Sequence, residues 1–438
     1  MKARRLRPYQ QHALDAKYNA LFLDMRLGKT LTALRRVKRE RAFPCLFVTP
    51  YSNFFDLKLE VENEELSYQE LTGTKQERLD KLLVESSVYI INTEGFLVIP
   101  EMRLKDWKSV IFDESHKIKN PKARITKYFT KAFRKVPLKM ILSGDPAPES
   151  YLDYFCQFQF LSTMGCGEAF GCLSYWGYRS KYFTPVDSQG FKWAVTRRGK
   201  KYIDKYIKNH AFSLKRVHAG VVSRKKYYRS YLVEMDARTK KLYRELKEKF
   251  VIDTDTLYRM TKHKVVQISL MHQLAAGFIE KECVWSGKLD ALQKIVSSKA
   301  SMIQTVIFAQ HIHELDAISK ILNCRIINGQ TKKPDRQRLQ KRFQEGKDRI
   351  LLSQNACLTY GANLSAADRV IYFSNTEEFV IREQTEDRAI RVGSNKQLEI
   401  IDILTSGTVD EVIYKSIRNK DTASTLRKNI LRSFYDEQ

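Results

Sequence analysis

Two short segments in the first third of the chain carry residue types suited to phosphate chemistry. The first runs from Leu21 to Arg36 and contains Gly28-Lys29-Thr30, the last three residues of a phosphate-binding loop. The full loop pattern, G-x-x-x-x-G-K-[ST], requires a glycine five residues before Gly28, where this chain has Leu23. By itself the tripeptide leaves two interpretations open: a nucleotide site, or a coincidental match at the start of an amphipathic helix.

The second segment is an apolar strand pattern that leads directly into a carboxylate pair. Asp113 and Glu114 follow it, and open α/β sheets bind their ligands at the carboxyl ends of strands. Asp113 is suited to hold Mg²⁺, directly or through water, and Glu114 to polarise an attacking water. Thr30 is the second residue predicted to bind Mg²⁺, as the hydroxyl of the loop. A strand followed by an acidic helix cap is the alternative interpretation.

A third candidate lies in the last quarter of the chain. In EQTEDRAIRVG, Arg388 and Arg391 are three residues apart, which places them on one face if the segment is helical. A phosphoryl-transfer enzyme needs positive charge delivered to its transition state, and these two arginines could supply it. Gln384 and Asp387 could orient that face through hydrogen bonds. Surface ion pairs are the alternative use of such arginines.

Alternating strand and helix patterns must position these residues. Short apolar runs separated by amphipathic stretches occupy the first third of the chain and return near its C-terminus, which predicts parallel sheets covered by helices on both faces. The middle is richer in glycine, aromatic and basic residues. We therefore predict an α/β fold with one lobe at 1–163, a mainly helical, basic insertion and linker at 164–285, and a second lobe at 286–438.

The charge balance predicts a polyanionic partner. The 438 residues include 77 Lys and Arg against 50 Asp and Glu, a net charge of +27. Such an excess repels itself in a compact fold, and nucleic acid relieves the repulsion. The seven cysteines form no C-x-x-C pair, so neither a zinc ribbon nor a disulfide framework is predicted. Because no apolar run approaches membrane-spanning length and no signal peptide is evident, we expect a soluble, intracellular protein.

Three basic stretches are candidates for the nucleic-acid contact. Residues 117–139, 197–210 and 223–231 interleave Lys and Arg with Tyr. Cations neutralise phosphates, and rings can stack on bases or ribose. Since phosphate contacts carry no sequence information, we expect sequence-independent, salt-sensitive binding to the DNA backbone. A solvated surface is the alternative for any single lysine.

Taken in order, these motifs resemble those of the superfamily-two helicases, and more closely the Swi/Snf-type branch of DNA translocases. The resemblance runs through nearly the whole chain. LRPYQ (6–10) is similar to the opening motif of the branch, DMRLGKT (24–30) to its phosphate loop E-M-G-L-G-K-T, and FDESHKIKN (112–120) to V-D-E-A-H-R-I-K-N. Later motifs are matched by LSGDP (142–146), NACLTYGANLSAAD (355–368) and QTEDRAIRVG (384–393), and SLKRV (213–217) stands at an arginine-rich linker.

The resemblance implies two RecA-like lobes with ATP between them and nucleic acid lying across both. It implies that Gln10 reads adenine and that Gly361 belongs to a nucleotide-binding motif. The full predicted site comprises Lys29, Asp113, Glu114, Arg388 and Arg391 for catalysis, Gln10, Gly28, Lys29, Thr30, Gly361 and Asp387 for nucleotide binding, and Thr30 and Asp113 for Mg²⁺.

One residue of the phosphate loop departs from the family pattern. Arg26 stands where the relatives have glycine. We expect a backbone conformation there that tolerates a side chain, unless the loop is strained. We also expect the Arg26 side chain to lie away from ATP, towards the surface of the lobe.

The expected function is that of an ATP-dependent DNA motor, a superfamily-two helicase or translocase that uses ATP and Mg²⁺. Duplex or branched DNA in replication, recombination or repair is the expected substrate; RNA is less favoured, no membrane contact is expected, and protein partners stay open. A phage-encoded factor in the host cytoplasm is the expected setting, with the nucleus for a eukaryotic source. The alternatives are a strand-separating helicase on single-stranded DNA or RNA, and a non-catalytic DNA-binding scaffold with a decayed ATP site.

Overall fold

The computed structural model of the chain describes residues 5–148, 150–162, 168–187, 192–220, 224–249, 251–253, 258–260, 264–297, 303–358, 363–390 and 396–419, with Leu426 and Ile430. The chain divides into two compact units, Met1–Val221 and Val222–Gln438.

The first unit is built on a seven-stranded sheet in which every pairing is parallel. Its described strands are β1 (Ala20–Leu23), β2 (Cys45–Val48), β3 (Tyr68–Glu70), β4 (Val88–Ile91), β5 (Ser109–Asp113), β6 (Leu138–Ser143) and β9 (Ala211–Leu214), with the separate antiparallel pair β7 (Phe183–Pro185) and β8 (Trp193–Val195). The helices are α1 (Pro8–Asp15), α2 (Lys29–Arg39), α3 (Phe54–Asn63), α4 (Lys75–Leu83), α5 (Arg124–Ala132), α6 (Tyr154–Leu161), α7 (Tyr175–Tyr182) and α8 (Arg197–His210). The strand order in the large sheet is β3-β4-β2-β5-β6-β1-β9.

Continuous apolar runs form these strands because both faces of the sheet are covered. In β5, Val110 and Phe112 pack into one core cluster, and Ile111 between them packs into the cluster on the other face. The same division holds in β1, where Phe22 faces the first cluster and its neighbours Leu21 and Leu23 face the second. Runs without polar alternation are the pattern that a buried parallel sheet produces.

The strand order brings the predicted chemistry to one edge of this sheet. Strand β6 lies between β1 and β5, and its residues Leu142 and Ser143 pair with Asp113 and Phe22 respectively. Since all three strands are parallel, their carboxyl ends meet at the same edge. The residues that follow β1, the end of β6 and the end of β5 are therefore neighbours.

The second unit contains a six-stranded, wholly parallel sheet in the order β10-β19-β18-β15-β17-β16. Its described strands are β10 (Lys226–Val233), β15 (Thr305–Ala309), β16 (Ile326–Ile327), β17 (Ile350–Gln354), β18 (Arg369–Tyr372) and β19 (Leu398–Thr405), with the antiparallel pairs β11 (Val251–Asp253)–β12 (Tyr258–Met260) and β13 (Phe278–Ile279)–β14 (Glu282–Cys283). The helices are α9 (Ala237–Lys249), α10 (Lys264–Ala275), α11 (Gly287–Ser297), α12 (Ile312–Leu322), α13 (Lys333–Gln344), α14 (Phe379–Ala389) and α15 (Val409–Arg418).

The predicted α/β fold with two parallel sheets is confirmed. The segment 164–285 contributes to both units: β9 pairs with β1 in the first sheet, and β10 pairs with β19 in the second. It contains helices α7 to α10 together with short strands, so its described part is mixed in structure. The three-part division remains a prediction. Within the described residues, no helix combines the length and the apolar character needed to cross a membrane.

Candidate nucleotide site

The segment predicted to bind phosphate is a strand–loop–helix unit. Strand β1 ends at Leu23, and α2 begins at Lys29 with Gly28 as its N-cap in the left-handed conformation, φ +76°. A helix of this length directs its first backbone N–H groups and the positive end of its dipole at the loop, which favours an anion there. A Cβ atom on Gly28 would lie 2.2 Å from Nε2 of Gln10, so the loop has room only for glycine.

Lys29 reaches across the carboxyl edge of the sheet. Its Nζ donates a hydrogen bond to the carbonyl oxygen of Leu23 at 2.7 Å. The same Nζ would lie 3.8 Å from a Cβ built on Gly144, the residue that follows β6. The lysine is therefore held at the edge where β1 and β6 end, the position that the loop motif requires.

Asp113 is a buried carboxylate held by three hydrogen bonds. Its Oδ2 accepts from Oγ1 of Thr49 at 2.8 Å and from Nδ2 of Asn53 at 3.2 Å, and its Oδ1 accepts from the backbone N–H of Glu114 at 3.0 Å. Burial raises the pKa of Asp113, the charge of Glu114 raises it further, and Lys29 opposes the rise. A carboxylate in this environment is stabilised by an added cation.

Glu114 occupies an unusual backbone conformation, with φ +52° and ψ +53°. Its Oε2 lies 3.4 Å from Nδ1 of His116. Burial and the nearby cations Lys117 and Lys119 lower the pKa of His116, with Asp145 opposing them. Non-glycine residues in the left-handed region cluster at functional sites. The strained backbone therefore favours a functional role for Glu114.

A buried hydroxyl lies between these groups. Ser143 ends β6 and is fully buried, and its Oγ has no hydrogen-bond partner among the described residues. An unsatisfied buried hydroxyl costs free energy unless a ligand or water completes it. Its place in the strand order, between the ends of β1 and β5, is where a bound phosphate or its water would supply that partner.

Gln10, expected to read adenine, packs directly on the phosphate loop. It is 4% exposed, and its Nε2 donates to the carbonyl oxygens of Leu27 at 3.2 Å and Gly28 at 3.4 Å. Its Oε1 accepts from the backbone N–H of Arg7 at 2.8 Å. The start of α1 is thereby fastened to the loop. The adenine contact itself remains a prediction.

Arg26 adopts the strained alternative of the two backbone expectations. Its φ is +64°, in the left-handed region that favours glycine. The expectation that its side chain lies away from the nucleotide remains a prediction. Arg26 lines a cavity of about 40 Å³ together with Gln10 and Gly28, and with Arg5 and Arg7. The arginine therefore lies beside two of the predicted nucleotide-binding residues.

The sequence motifs do not reveal what holds the start of the loop. Asp24 accepts from the backbone N–H of Arg216 at 2.7 Å, and Lys215 Nζ lies 3.4 Å from its other oxygen. Arg216 Nη2 donates to the carbonyl oxygen of Met25 at 3.2 Å. These contacts follow from the pairing of β9 with β1, in which Leu214 is opposite Leu23. We call Lys215 and Arg216 the loop clamp.

In the second unit, the segment predicted to carry arginine fingers is helical as far as Ala389, with Arg388 in its last turn. Asp387 is paired with Lys226 of β10, Oδ1 to Nζ at 3.1 Å. Burial lowers the pKa of Lys226, but the charges of Glu386 and Asp387 outweigh it and raise the pKa overall. Arg391 and Gly361 lie outside the described residues.

A buried network of ion pairs anchors helix α14. Arg382 Nη2 donates to Asp402 of β19 at 2.9 Å, and its guanidinium lies 3.6 Å from the ring centroid of Tyr372. Arg382 Nε also donates to Glu386 at 2.8 Å, and Glu386 accepts from Lys226 at 2.9 Å. The helix is thus fixed to β10, β18 and β19. The catalytic role of Arg388 remains a prediction.

A strand–loop–helix unit that carries Gly-Lys-Thr and an Asp-Glu pair at the same carboxyl edge of a parallel sheet are the features of a phosphate-loop α/β protein. Residues 17–287 match the family model of the SNF2-related domain, and residues 287–393 match that of the helicase conserved C-terminal domain. The first match covers more than half of the chain. The chain belongs to the SNF2-related family, and the resemblance to Swi/Snf-type proteins is confirmed.

Several curated proteins are similar along most of this chain. The putative ATP-dependent helicase/translocase YwqA of Bacillus subtilis is 23% identical, over 95% of this chain and 48% of its own length. The Drosophila SWI/SNF-related regulator of chromatin subfamily A-like protein 1 is 24% identical, over 95% of this chain and 55% of its own length. The chain therefore spans about half the length of these relatives. The Sulfolobus solfataricus SWI2/SNF2 ATPase core in complex with dsDNA is 21% identical, with 98% of this chain and 94% of that chain covered and a TM-score of 0.45.

Proposed function

We propose that the chain is an ATP-dependent motor that couples ATP hydrolysis to movement on duplex or branched DNA. The observation that carries the proposal is the placement of Lys29 and Asp113 at the ends of β1 and β5, separated only by β6, in a chain of the SNF2-related family. Phosphate-binding and metal-binding groups at the same edge of a sheet are what phosphoryl transfer requires.

The residues present fit ATP and Mg²⁺. Gly28 caps the start of α2, whose first backbone N–H groups would face a phosphate, and Lys29 supplies the positive charge. Thr30 and the carboxylate of Asp113 would hold Mg²⁺, which neutralises phosphate charge when bound. The buried, unpartnered Oγ of Ser143 is consistent with a ligand at this edge.

Glu114 is the group proposed to orient and deprotonate the attacking water. Asp113 is buried and hydrogen-bonded, whereas Glu114 is partly exposed, so one acid can bind the cation while the other faces water. Arg388, with Arg391, is proposed to supply the positive charge that stabilises the transition state. The anchoring of Asp387 by Lys226 holds the end of α14 that carries Arg388.

We propose DNA as the substrate because of the net positive charge of the chain and its membership of the SNF2-related family. The net charge of +27 favours a polyanion, and the exposed face of α8 carries several lysines. We propose contacts to the DNA backbone without sequence preference, in replication, recombination or repair, with RNA less favoured. A phage origin and a cytoplasmic setting remain predictions.

The test is ATP hydrolysis measured with no nucleic acid, single-stranded DNA, linear duplex, branched DNA and RNA, each with Mg²⁺ and with a chelator. We expect duplex and branched DNA to stimulate hydrolysis and the chelator to abolish it. Absence of stimulation by any polymer would remove the motor proposal and favour the scaffold. Stimulation by RNA alone, or by single strands alone, would favour the strand-separating helicase.

Replacing Lys29 tests the loop assignment. Lys29→Ala is expected to lower the rate of ATP hydrolysis by about 100-fold, because it removes a positive charge that would stabilise the transferred phosphoryl group. DNA affinity should be unchanged. Lys38→Ala, at the opposite end of α2, is the matched control and should hydrolyse ATP normally. Normal turnover by Lys29→Ala would show that the loop does not bind the phosphates.

A further inference from the structure

The edge strand β10 presents a regular alternation of cations and rings on one of its faces. Successive side chains of a strand point to opposite faces, so Tyr227, Arg229 and Tyr231 share one side, and Lys225 directly precedes the strand. Strand β10 is the last strand of its sheet, and among the described residues only β19 pairs with it. We call these four residues the edge stripe.

The rings of the edge stripe are accessible although their strand is firmly held. Tyr227 is 47% exposed and Tyr231 is 41% exposed. By contrast, Tyr228 on the opposite face packs against the core, and its hydroxyl donates to Glu386 at 2.7 Å. Neither Tyr227 nor Tyr231 belongs to a core cluster of the described residues. On the side of the stripe, Val233 at the end of the strand packs against a core cluster, whereas the rings of Tyr227 and Tyr231 do not. The two rings are therefore available to a ligand.

The stripe is positively charged and partly pre-organised. The Arg229 guanidinium lies 5.2 Å from the ring centroid of Tyr227. Glu399, opposite Tyr227 on β19, lies 3.4 Å from Arg229, but Arg369 also donates to that glutamate at 2.7 Å. The Glu399 carboxylate is thus shared by two guanidinium groups. The exposed Lys225 adds a further positive charge.

We propose that the edge stripe binds single-stranded DNA. Neighbouring members of the stripe are about 6.6 Å apart along the strand. Its cations could therefore contact phosphates while its rings contact bases in alternation. Cations attract any nucleic-acid backbone, but rings can stack only on bases that are not enclosed in a duplex. The alternation of the two therefore favours a single strand over a duplex.

This inference rests on the proposed function and makes its substrate more specific. A motor that tracks duplex DNA and also holds a single strand on β10 is suited to DNA in which both occur, such as a fork with a single-stranded arm. The edge stripe would then contribute to the choice of substrate and not to the hydrolysis of ATP.

The experiment compares a Tyr227→Ala, Tyr231→Ala double variant with the unmodified chain. Fluorescence anisotropy measures affinity for a single-stranded DNA oligonucleotide, a linear duplex, a fork with a single-stranded arm, and an RNA strand. We expect the affinities for the DNA strand and for the fork to fall roughly 10- to 30-fold, because the variant can no longer stack two rings on bases. Affinity for the linear duplex should change by less than about two-fold.

Two further variants isolate the cause. Leu232→Ala removes an exposed apolar side chain from the opposite face of β10, where Leu232 is 63% exposed, and should bind every DNA as the unmodified chain does. Tyr227→Phe with Tyr231→Phe keeps the rings and should retain single-strand binding. Thermal unfolding checks that all variants are folded.

Four outcomes would overturn the proposal. They are an equal weakening of binding to the linear duplex, unchanged binding to the single strand, weakened binding by the phenylalanine variant, and tighter binding of RNA than of DNA by the unmodified chain.

Duplex-stimulated ATP hydrolysis separates this proposal from the motor itself. If the alanine variant keeps that stimulation but binds forks normally, only the edge stripe fails. If the unmodified chain shows no stimulation, the motor fails.

Discussion

Two residues of the candidate nucleotide site, Arg26 and Glu114, hold left-handed backbone conformations that non-glycine residues seldom adopt. Each costs about 1 kcal/mol or more, and such strain persists only where the surroundings enforce it. At Glu114 the strain falls on the carboxylate proposed to orient water. At Arg26 it falls on a residue that lines a small cavity together with Gln10 and Gly28. The side chain at position 26 must therefore offset a cost that glycine avoids.

Arg26→Gly and Arg26→Ala form a matched pair that separates strain from charge. Both variants lack the guanidinium beside the pocket, so both should bind ATP about five-fold more weakly, a weakening of about 1 kcal/mol. Only glycine relieves the backbone strain. The glycine variant should therefore be more stable than the alanine variant by about 1 kcal/mol. Nucleotide titration and thermal unfolding measure the two effects.

Unchanged ATP affinity in both variants would support the expectation that Arg26 lies away from the nucleotide. Equal stability of the two variants would show that the left-handed conformation at position 26 carries no cost.

The sequence predicts some of these residues and cannot predict others, for a physical reason. Lys29, Asp113 and Gln10 lie in short local motifs, so their places could be predicted from neighbouring residues. The partners of Asp24 are nearly 200 residues away and meet it only because β9 pairs with β1. The partner of Asp387 depends in the same way on the place of β10 in the second sheet. Strand order, which decides both, is not encoded locally.

At the scale of elements, α8 and β9 form one continuous segment that ends on the phosphate loop. Helix α8 ends at His210 and β9 begins at Ala211, so no loop separates them. Strand β9 then delivers the loop clamp, Lys215 and Arg216, to Asp24 and Met25. The backbone N–H of Asp24 also donates to the carbonyl oxygen of Leu214 at 3.2 Å. The loop is thus held from outside its own strand–helix unit.

Arg216→Ala should weaken ATP binding without unfolding the protein. The variant lacks the hydrogen bond to the Met25 carbonyl but keeps the backbone N–H that binds Asp24, so the loop becomes less ordered before phosphate binds. We expect KM for ATP to rise about five-fold with kcat changed less. A fall in kcat at constant KM would contradict a positioning role, and Arg216→Lys should recover part of the affinity.

Arg39→Ala is the matched control for the loop clamp. Arg39 ends α2 and pairs with Asp15 at 2.6 Å, but both side chains are about half exposed, 51% and 53%. Exposed ion pairs contribute little to stability. The control should therefore leave both KM and thermal stability nearly unchanged.

The strands contributed by the middle segment show why apolar pattern alone is insufficient. Strands such as β4 and β5 are continuous apolar runs and can be predicted directly. Strand β9 is short, and β10, KYYRSYLV, is exposed along one side because it lies at the edge of its sheet. Edge strands lack the second covering layer that produces an apolar run. The sequence pattern therefore assigns both strands to a basic, mainly helical segment.

At the scale of the whole molecule, the excess positive charge is the dominant electrostatic feature. Many acidic residues are already paired with a cation, as in Lys75–Glu101, Lys108–Asp106 and Lys240–Glu234. The charges that remain for a partner are concentrated on surfaces such as α8. Its Lys201, Lys205 and Lys208 are exposed and lie four and three residues apart, on one helix face.

DNA binding should consequently be steeply salt-dependent and insensitive to sequence. With six to ten phosphate contacts, affinity for duplex DNA would fall by about 10³- to 10⁵-fold between ~50 and ~200 mM salt, because counterions freed on binding must enter a more concentrated solution. Two duplexes of equal length and scrambled sequence should bind equally, since backbone contacts carry no base information. A shallow salt dependence, or a preference for one sequence, would contradict backbone recognition.

Replacing Lys201, Lys205 and Lys208 by glutamine tests whether α8 binds the DNA backbone. Each lysine–phosphate interaction that the variant removes should reduce the slope of log K against log salt by about 0.9. The matched control replaces Lys75, Lys108 and Lys240 by glutamine, which removes the same formal charge from lysines that are already ion-paired. If both triple variants shift the slope equally, DNA affinity depends only on the overall charge of the protein. If the α8 variant alone shifts the slope, α8 is part of the DNA-binding surface.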